Sequence, residues 1–380
     1  MRTSSLISTT FALATIHVRG SPSTSTRRLE AIPEYEESVL IEMEQHFGQK
    51  LERKLTNLPT WGASDIKPWY GPAWGMWADS INYVETNGDF APSAKYAMAF
   101  GLNVDEFMDK VSAKFGIDSV KDKSSTCTSY CEGHDNDCAI RKNSQVRYCV
   151  SRWSSISEGV AQASLLEKEP RCPVTFNNVT FNPDDIKGLI SVVYAEAQVP
   201  TIYGGNYFPG QNGTLDGSVP SAPPQYRNVN PAFYHITAAN LLGKLNQSFI
   251  FDRYSDERVL DLTAFAFEVT RLQRMTLQEA AREFFDSTSY TFNDKATEVV
   301  YVASTLYFVD SKVNDYPSLP YTYILELDST GDCIGGQWLE YQPDAILIPK
   351  EKPAADLVTG IGISYANVLM LIDKSAACSN

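Results

Sequence analysis

Tyr148-Cys149-Val150-Ser151-Arg152-Trp153-Ser154-Ser155-Ile156-Ser157-Glu158-Gly159-Val160-Ala161-Gln162-Ala163-Ser164-Leu165-Leu166 decides how the rest of the chain is read. It starts as a cysteine-anchored loop, passes a Trp and turns into a helix. The small and apolar side chains of residues 159–166 suit that helix to burial. Its first turn supplies free backbone N–H groups and the positive end of a dipole, a setting that favours a thiolate or another anion. The side chain standing at that position is the hydroxyl of Ser157.

Outward from there, composition sets limits. At 380 residues the chain is long enough for two or three subdomains around a large core. A formal net charge of -14 leaves no basic stripe to release counterions, which excludes nucleic acid and anionic membrane surfaces as partners. With 20 Tyr and 18 Phe the body is globular rather than disordered. Arg2 ahead of the apolar run 6–18 reads as a signal peptide over residues 1–20, removed around residues 19–25. Residues 21–33 read as a flexible leader and 34–380 as the folded domain. No other apolar run reaches spanning length, so no membrane insertion is expected.

Cysteine usage agrees with secretion. Cys127, Cys131, Cys138 and Cys149 crowd a Ser-, Asn- and Asp-rich loop, which suits two disulfides. Zinc, with His134 nearby, is the lesser alternative because paired C-x-x-C units are missing. Cys172 with Cys378 makes a third bridge, leaving Cys333 over. Sequons begin at Asn178, Asn212 and Asn246, as in a glycosylated extracellular protein.

Apolar spacing predicts a helix over 36–51, and Pro- and Trp-rich coil packed into the core over 58–80. Two helices follow over 93–115, the second capped by Asn103. The helix after Ser157 ends before Pro170. A hairpin turns at Asn177-Asn178, and Asn182-Pro183 opens a helix. Residues 200–229 form a long functional or mobile loop. A helix starts at Asn230-Pro231, strands cover 249–251 and 259–269, and helices cover 276–285 and 293–308. A hairpin spans 321–341, a short strand 344–348, and a helix or strand 365–374.

Four histidines exist, and His17, His46 and His134 lie in the leader, a solvated helix and the cysteine loop. His235 is therefore the candidate general base, with a satisfied core histidine as the plain alternative. Asp252, at a strand end, is the first choice to orient it, and Asp261 the second. Ser157, His235 and Asp252 form the candidate catalytic set. No cofactor or metal site is expected.

Several segments resemble the transglutaminase elicitor family of oomycetes, secreted proteins similar to papain-like cysteine proteases in their catalytic constellation. They include Lys95-Tyr96-Ala97-Met98-Ala99-Phe100-Gly101-Leu102, Thr180-Phe181-Asn182-Pro183-Asp184-Asp185-Ile186-Lys187, Asn230-Pro231-Ala232-Phe233-Tyr234-His235 and Ile334-Gly335-Gly336-Gln337-Trp338. The resemblance runs from about residue 32 to the C-terminus. It implies an α+β, papain-like or transglutaminase-like two-lobed fold with a disulfide-stapled loop. It also implies acyl transfer from a protein glutamine to a lysine amine, so protein substrates or host surface proteins as partners, and an extracellular location.

Departures sit at the centre of the pattern. Where the family reads Trp-x-x-x-Cys-His-x-Trp-Ala-Pro-Ala, this chain reads Trp153-Ser154-Ser155-Ile156-Ser157-Glu158-Gly159-Val160-Ala161-Gln162-Ala163. His235 and Asp252 match the family's His and Asp, while Asp261 falls on an Asn. Ser157 is a weaker nucleophile than a thiol, and Glu158 brings negative charge where an oxyanion forms. Ser155-Ile156-Ser157-Glu158 spells a capping box, worth about 1 kcal/mol, and that reading is favoured over a working Ser-His-Asp triad. The family's elicitor segment falls on residues 259–269 without its Trp, Pro and Arg, which predicts a strand kept and a recognition surface lost. The expectation is a transglutaminase body with reduced or absent activity, or a non-catalytic binding protein or decoy.

Overall fold

The computed structural model describes residues 30–84, 89–133, 135–205, 229–254, 258–291, 293–310 and 317–378. In chain order its elements begin β1 (Glu30–Ala31), α1 (Glu34–Phe47), β2 (Trp61–Ala63), α2 (Pro92–Phe100), α3 (Val104–Phe115), β3 (Asn136–Ile140) and β4 (Arg147–Ser151). The middle holds α4 (Ser157–Leu166), β5 (Val174–Phe176), β6 (Val179–Phe181), α5 (Pro183–Ala197), β7 (Thr201–Gly205) and α6 (Pro231–Leu241). The rest is β8 (Phe249–Asp252), β9 (Asp261–Met275), α7 (Leu277–Phe285), β10 (Glu298–Val309), β11 (Ser318–Leu327), β12 (Cys333–Trp338), β13 (Ala345–Pro349) and α8 (Tyr365–Ala376).

One antiparallel sheet runs in the order β1-β12-β11-β10-β9-β8-β13-β7, with β2 paired to β9. Because successive side chains point to opposite faces, its two sides pack against different partners. Phe249 and Phe251 of β8, Leu262 and Ala264 of β9, and Tyr321 and Tyr323 of β11 share one core with α1 and α6. Ile250, between the two phenylalanines, faces the other way and packs on Ala161 of α4. A second core gathers α2, α3, α5 and α8 with Ile156 and with Val160 and Ala163 of α4. Helix α4 is thus wedged between the sheet and a helical lobe, which is the two-lobed α+β arrangement expected. Its approach to α5 is so close that a Cβ on Gly159 would lie 2.3 Å from the Ser191 carbonyl oxygen.

Local signals held in several places. Asn103 accepts the Glu106 N–H at the start of α3. Asn182 and Asp185 complete a capping box on α5, with Pro183 at the first position. Asn177 and Asn178 take left-handed conformations between β5 and β6. Cys127–Cys138 and Cys131–Cys149 staple the β3–β4 hairpin as the two expected disulfides; His134 lies outside the described residues. Cys172–Cys378 ties the end of α8 to the segment after α4, and Cys333 is a buried free thiol.

Three expectations are corrected. The helix expected over 293–308 is β10, the central strand between β9 and β11. Val300, Val302, Ser304, Leu306 and Phe308 are buried on one face and Tyr301, Ala303, Thr305 and Tyr307 are half-buried on the other; with Ser304 inside and Tyr301, Ala303 and Tyr307 outside, the sequence lacks the apolar–polar alternation of a strand. The leader boundary at residue 33 is late, since Glu30 and Ala31 pair with β12 and Ile32 is buried. Of the loop expected over 200–229, residues 201–205 are the edge strand β7, and 206–228 lie outside the described residues.

Candidate functional site

The chain enters α4 along the segment between β2 and α2. Ile156 donates its N–H to the Ala73 carbonyl, and Met76 donates to that of Ser154. This pairing sets where α4 starts. Ile156 occupies the N-cap position without a side-chain bond, Ser155 Oγ accepts the Ser157 N–H at 3.3 Å, and no capping box forms. The Glu158 carboxylate, instead of reaching back, accepts from Gln162 Nε2 at 2.9 Å and from the Tyr203 hydroxyl at 3.4 Å. The capping-box expectation is therefore corrected: the extra contact with residues 73–76 shifts the cap by one residue.

Ser157 is 5% exposed and faces β9. Its Oγ accepts the Asp261 N–H at 3.3 Å. Asp252 pairs with Asp261 in register across β8 and β9. Asp252 Oδ1 accepts the N–H groups of Leu260 at 3.0 Å and Tyr254 at 3.3 Å, which closes the chain between the strands. Both carboxylate oxygens of Asp261 are buried without a hydrogen-bond partner. Burial first, then the charges of Asp252 and Glu158, push the Asp261 carboxyl well above the usual range, towards the protonated form. A cavity of about 20 Å³, lined by Ser157, Asp261 and Trp69 among others, has room for one water.

His235 is elsewhere. It lies on α6, its Nδ1 is 2.7 Å from the Tyr323 hydroxyl of β11, and Tyr323 points into the core shared with α1. Ser157 is on the opposite face of the sheet, with α4. The expected set is thus divided: Ser157 and Asp252 come together, with Asp261 and Glu158, and His235 does not join them. Burial lowers the imidazole to about 4, so it is neutral at ordinary pH. The plain alternative, a satisfied core histidine, describes its position. Sequence reasoning did not anticipate Tyr203 and Tyr323 as partners, because no local signal says which face of a sheet a helix will cover.

Chemically, the head of α4 offers N–H dipoles for an anion and then surrounds that place with three carboxyl groups. Among the described residues, a hydroxyl there has no imidazole to take its proton. Among the described residues, no helix is long and apolar enough to cross a membrane.

Comparisons with known proteins show which chains this one resembles. A family model described as "Transglutaminase elicitor" matches residues 39–378. The crystal structure of the GP42 transglutaminase from Phytophthora sojae is similar at 37% sequence identity and a TM-score of 0.80, covering 92% of this chain and 100% of that one. No curated protein gives a significant match.

Proposed function

We propose that this chain, which belongs to the transglutaminase elicitor family, is an extracellular protein whose acyl-transfer site is disarmed and which acts by binding other proteins. The family reaction moves a glutamine acyl group onto a lysine amine. The observation that carries the reading is the surroundings of Ser157: the Asp261 carboxyl shares its cavity, the charges of Asp252 and Glu158 act on that carboxyl, and the sheet lies between Ser157 and His235. A serine at that position needs a base, and its oxyanion needs positive surroundings. Three disulfides support an oxidising compartment, and Asn178 and Asn246 are exposed as glycosylation would require. The elicitor-related stretch lies on β9, where Leu262, Ala264 and Phe267 are buried, which supports a scaffold role for it rather than a recognition surface.

A rival reading, hydrolysis or acyl transfer through Ser157, has one supporting observation. The unpartnered Asp261 carboxyl shares the small cavity with Ser157 and is a possible base. Treatment with an activated acyl ester, followed by peptide mass mapping, separates the two. Unlabelled Ser157 is expected; labelling of Ser157 that disappears in Asp261→Asn or His235→Ala would establish the enzyme instead.

A further inference from the structure

Beside the head of α4 lies a groove of about 590 Å³, within the range of about 300–1,000 Å³ common for ligand sites. Three parts of the chain line it: the Pro- and Trp-rich segment from Pro72 to Tyr83, the stapled β3–β4 hairpin continuing to Trp153, and Tyr254 with Arg258 after β8. The expectation that the Pro- and Trp-rich segment is plain core holds for Trp69 and Trp74 but not for Trp77, which is 42% exposed in the groove.

The lining is held in place before any ligand arrives. Asp79 and Ser80 take left-handed φ of 66° and 55°. The Asp79 carboxylate pins that backbone by accepting the Ile117 N–H at 2.8 Å and the Ser112 hydroxyl at 2.5 Å. The hairpin is fixed by Cys127–Cys138 and Cys131–Cys149. A surface ordered in this way loses little freedom on binding.

Its chemistry combines aromatic faces with charges that cancel. Trp77 and Tyr83, the latter 48% exposed, offer ring surface, and Trp153 and Tyr254 are half-buried beside them. The charged side chains of the lining pair off: Arg152 with Asp137 at 2.6 Å and Arg258 with Asp135 at 3.8 Å. The Arg258 guanidinium also stacks 4.1 Å from the centre of the Tyr254 ring. Each pair sets N–H donors beside carboxylate acceptors at no net charge. A charged ligand meets repulsion from one member of each pair, and a wholly apolar one strips water from both without replacing its hydrogen bonds. A sugar ring answers both features, because its C–H face lies on an aromatic ring while its neighbouring hydroxyls each donate and accept. β-Linked glucose carries its hydroxyls at the ring edge and leaves that face clear. Aromatic rings supplied by three parts of the chain suit several linked sugars rather than one.

We propose that this groove binds a neutral β-linked glucan oligosaccharide, with sugar faces on Trp77, Tyr83 and Trp153 and hydroxyls on the Arg152–Asp137 and Arg258–Asp135 pairs. The assignment lies outside the family reaction. It does not rest on the disarmed reading either, since it uses no group of the cavity at Ser157.

The test is calorimetric titration of the native, disulfide-intact protein with cellohexaose and with laminarihexaose. Controls are a hexaglucuronate, a mannose-rich glycopeptide and a blocked neutral hexapeptide. Saturable binding of at least one glucan is expected, with at least about a tenfold loss for every control and for Trp77→Ala and Arg152→Gln. Trp77→Phe keeps an aromatic face and is expected to bind within about threefold of the native chain, which separates stacking from any loss of fold. No binding of either glucan, a control that binds as tightly, unaltered binding in both Trp77→Ala and Arg152→Gln, or a Trp77→Phe as weak as Trp77→Ala at native melting temperature overturns the assignment.

Discussion

Asp252 and Asp261 stand directly opposite each other on β8 and β9, and the Asp261 N–H donates to the hydroxyl of Ser157. Neighbouring carboxyls in a buried place cannot both ionise cheaply, so one holds its proton. Asp261, with neither oxygen hydrogen-bonded, is the one pushed towards its protonated form. The helix head, whose dipole favours an anion, thus lies beside carboxyl groups that disfavour one.

The pH dependence of stability follows from that proton. A carboxyl raised in the folded state contributes stability in full below its unfolded value of 3.8, and the contribution drains away as pH rises above it. Asp261→Asn removes the titration. Thermal melts should show the variant gaining about 1–3 kcal/mol over the native chain at pH 8 and little at pH 4. A gain of the same size at both pH values would show that Asp261 does not carry the proton.

Sulfur alone should not rearm the site. Family residues at positions 157, 158 and 261 are Cys, His and Asn by the resemblance drawn from the sequence, and this chain has Ser, Glu and Asp. Ser157→Cys by itself still leaves Glu158 and Asp261 against the thiolate. Amine incorporation is expected to stay near background in Ser157→Cys and to rise at least about tenfold when Glu158→His and Asp261→Asn are added, which corresponds to about 1.4 kcal/mol of barrier. Equal gain in the single and triple variants would mean that the carboxylates do not matter.

A second buried carboxyl predicts a separate transition. Glu36 on α1 accepts the Asn230 N–H at 3.0 Å and is pushed up to about 8, chiefly by burial. Its stabilising contribution is complete below about 4.5, falls across the interval and is gone above about 8. The melting temperature should therefore drop from pH 6 to pH 9, and Glu36→Gln should flatten the drop. An unchanged slope in the variant would assign the transition to other groups.

Much of the fold was legible because it was written locally. Asn103, Asn182 and Asn230 each cap the helix their sequence announces, and the Asn177-Asn178 turn sits where the hairpin needs it. β10 was not legible, since Ser304 sits on its buried face and Tyr301, Ala303 and Tyr307 on its half-buried one, which hides the alternation that would identify it. The site was legible in part. Ser157 at a helix head and the Asp252 strand end are local features. The separation of His235 from them depends on which side of the sheet α4 and α6 occupy, and that is decided by the long-range register of β8, β9 and β11. The Ser155 cap failed for a related reason, because residues 73–76 pair with the segment entering α4 from far away in sequence.

The most direct measurement is transamidation by the unaltered, disulfide-intact protein, read as incorporation of a fluorescent primary amine into a glutamine-bearing protein. Incorporation no greater than that of Ser157→Ala, across pH 5 to 9, is the predicted result. Sustained turnover by the native chain that vanishes in Ser157→Ala would contradict the account.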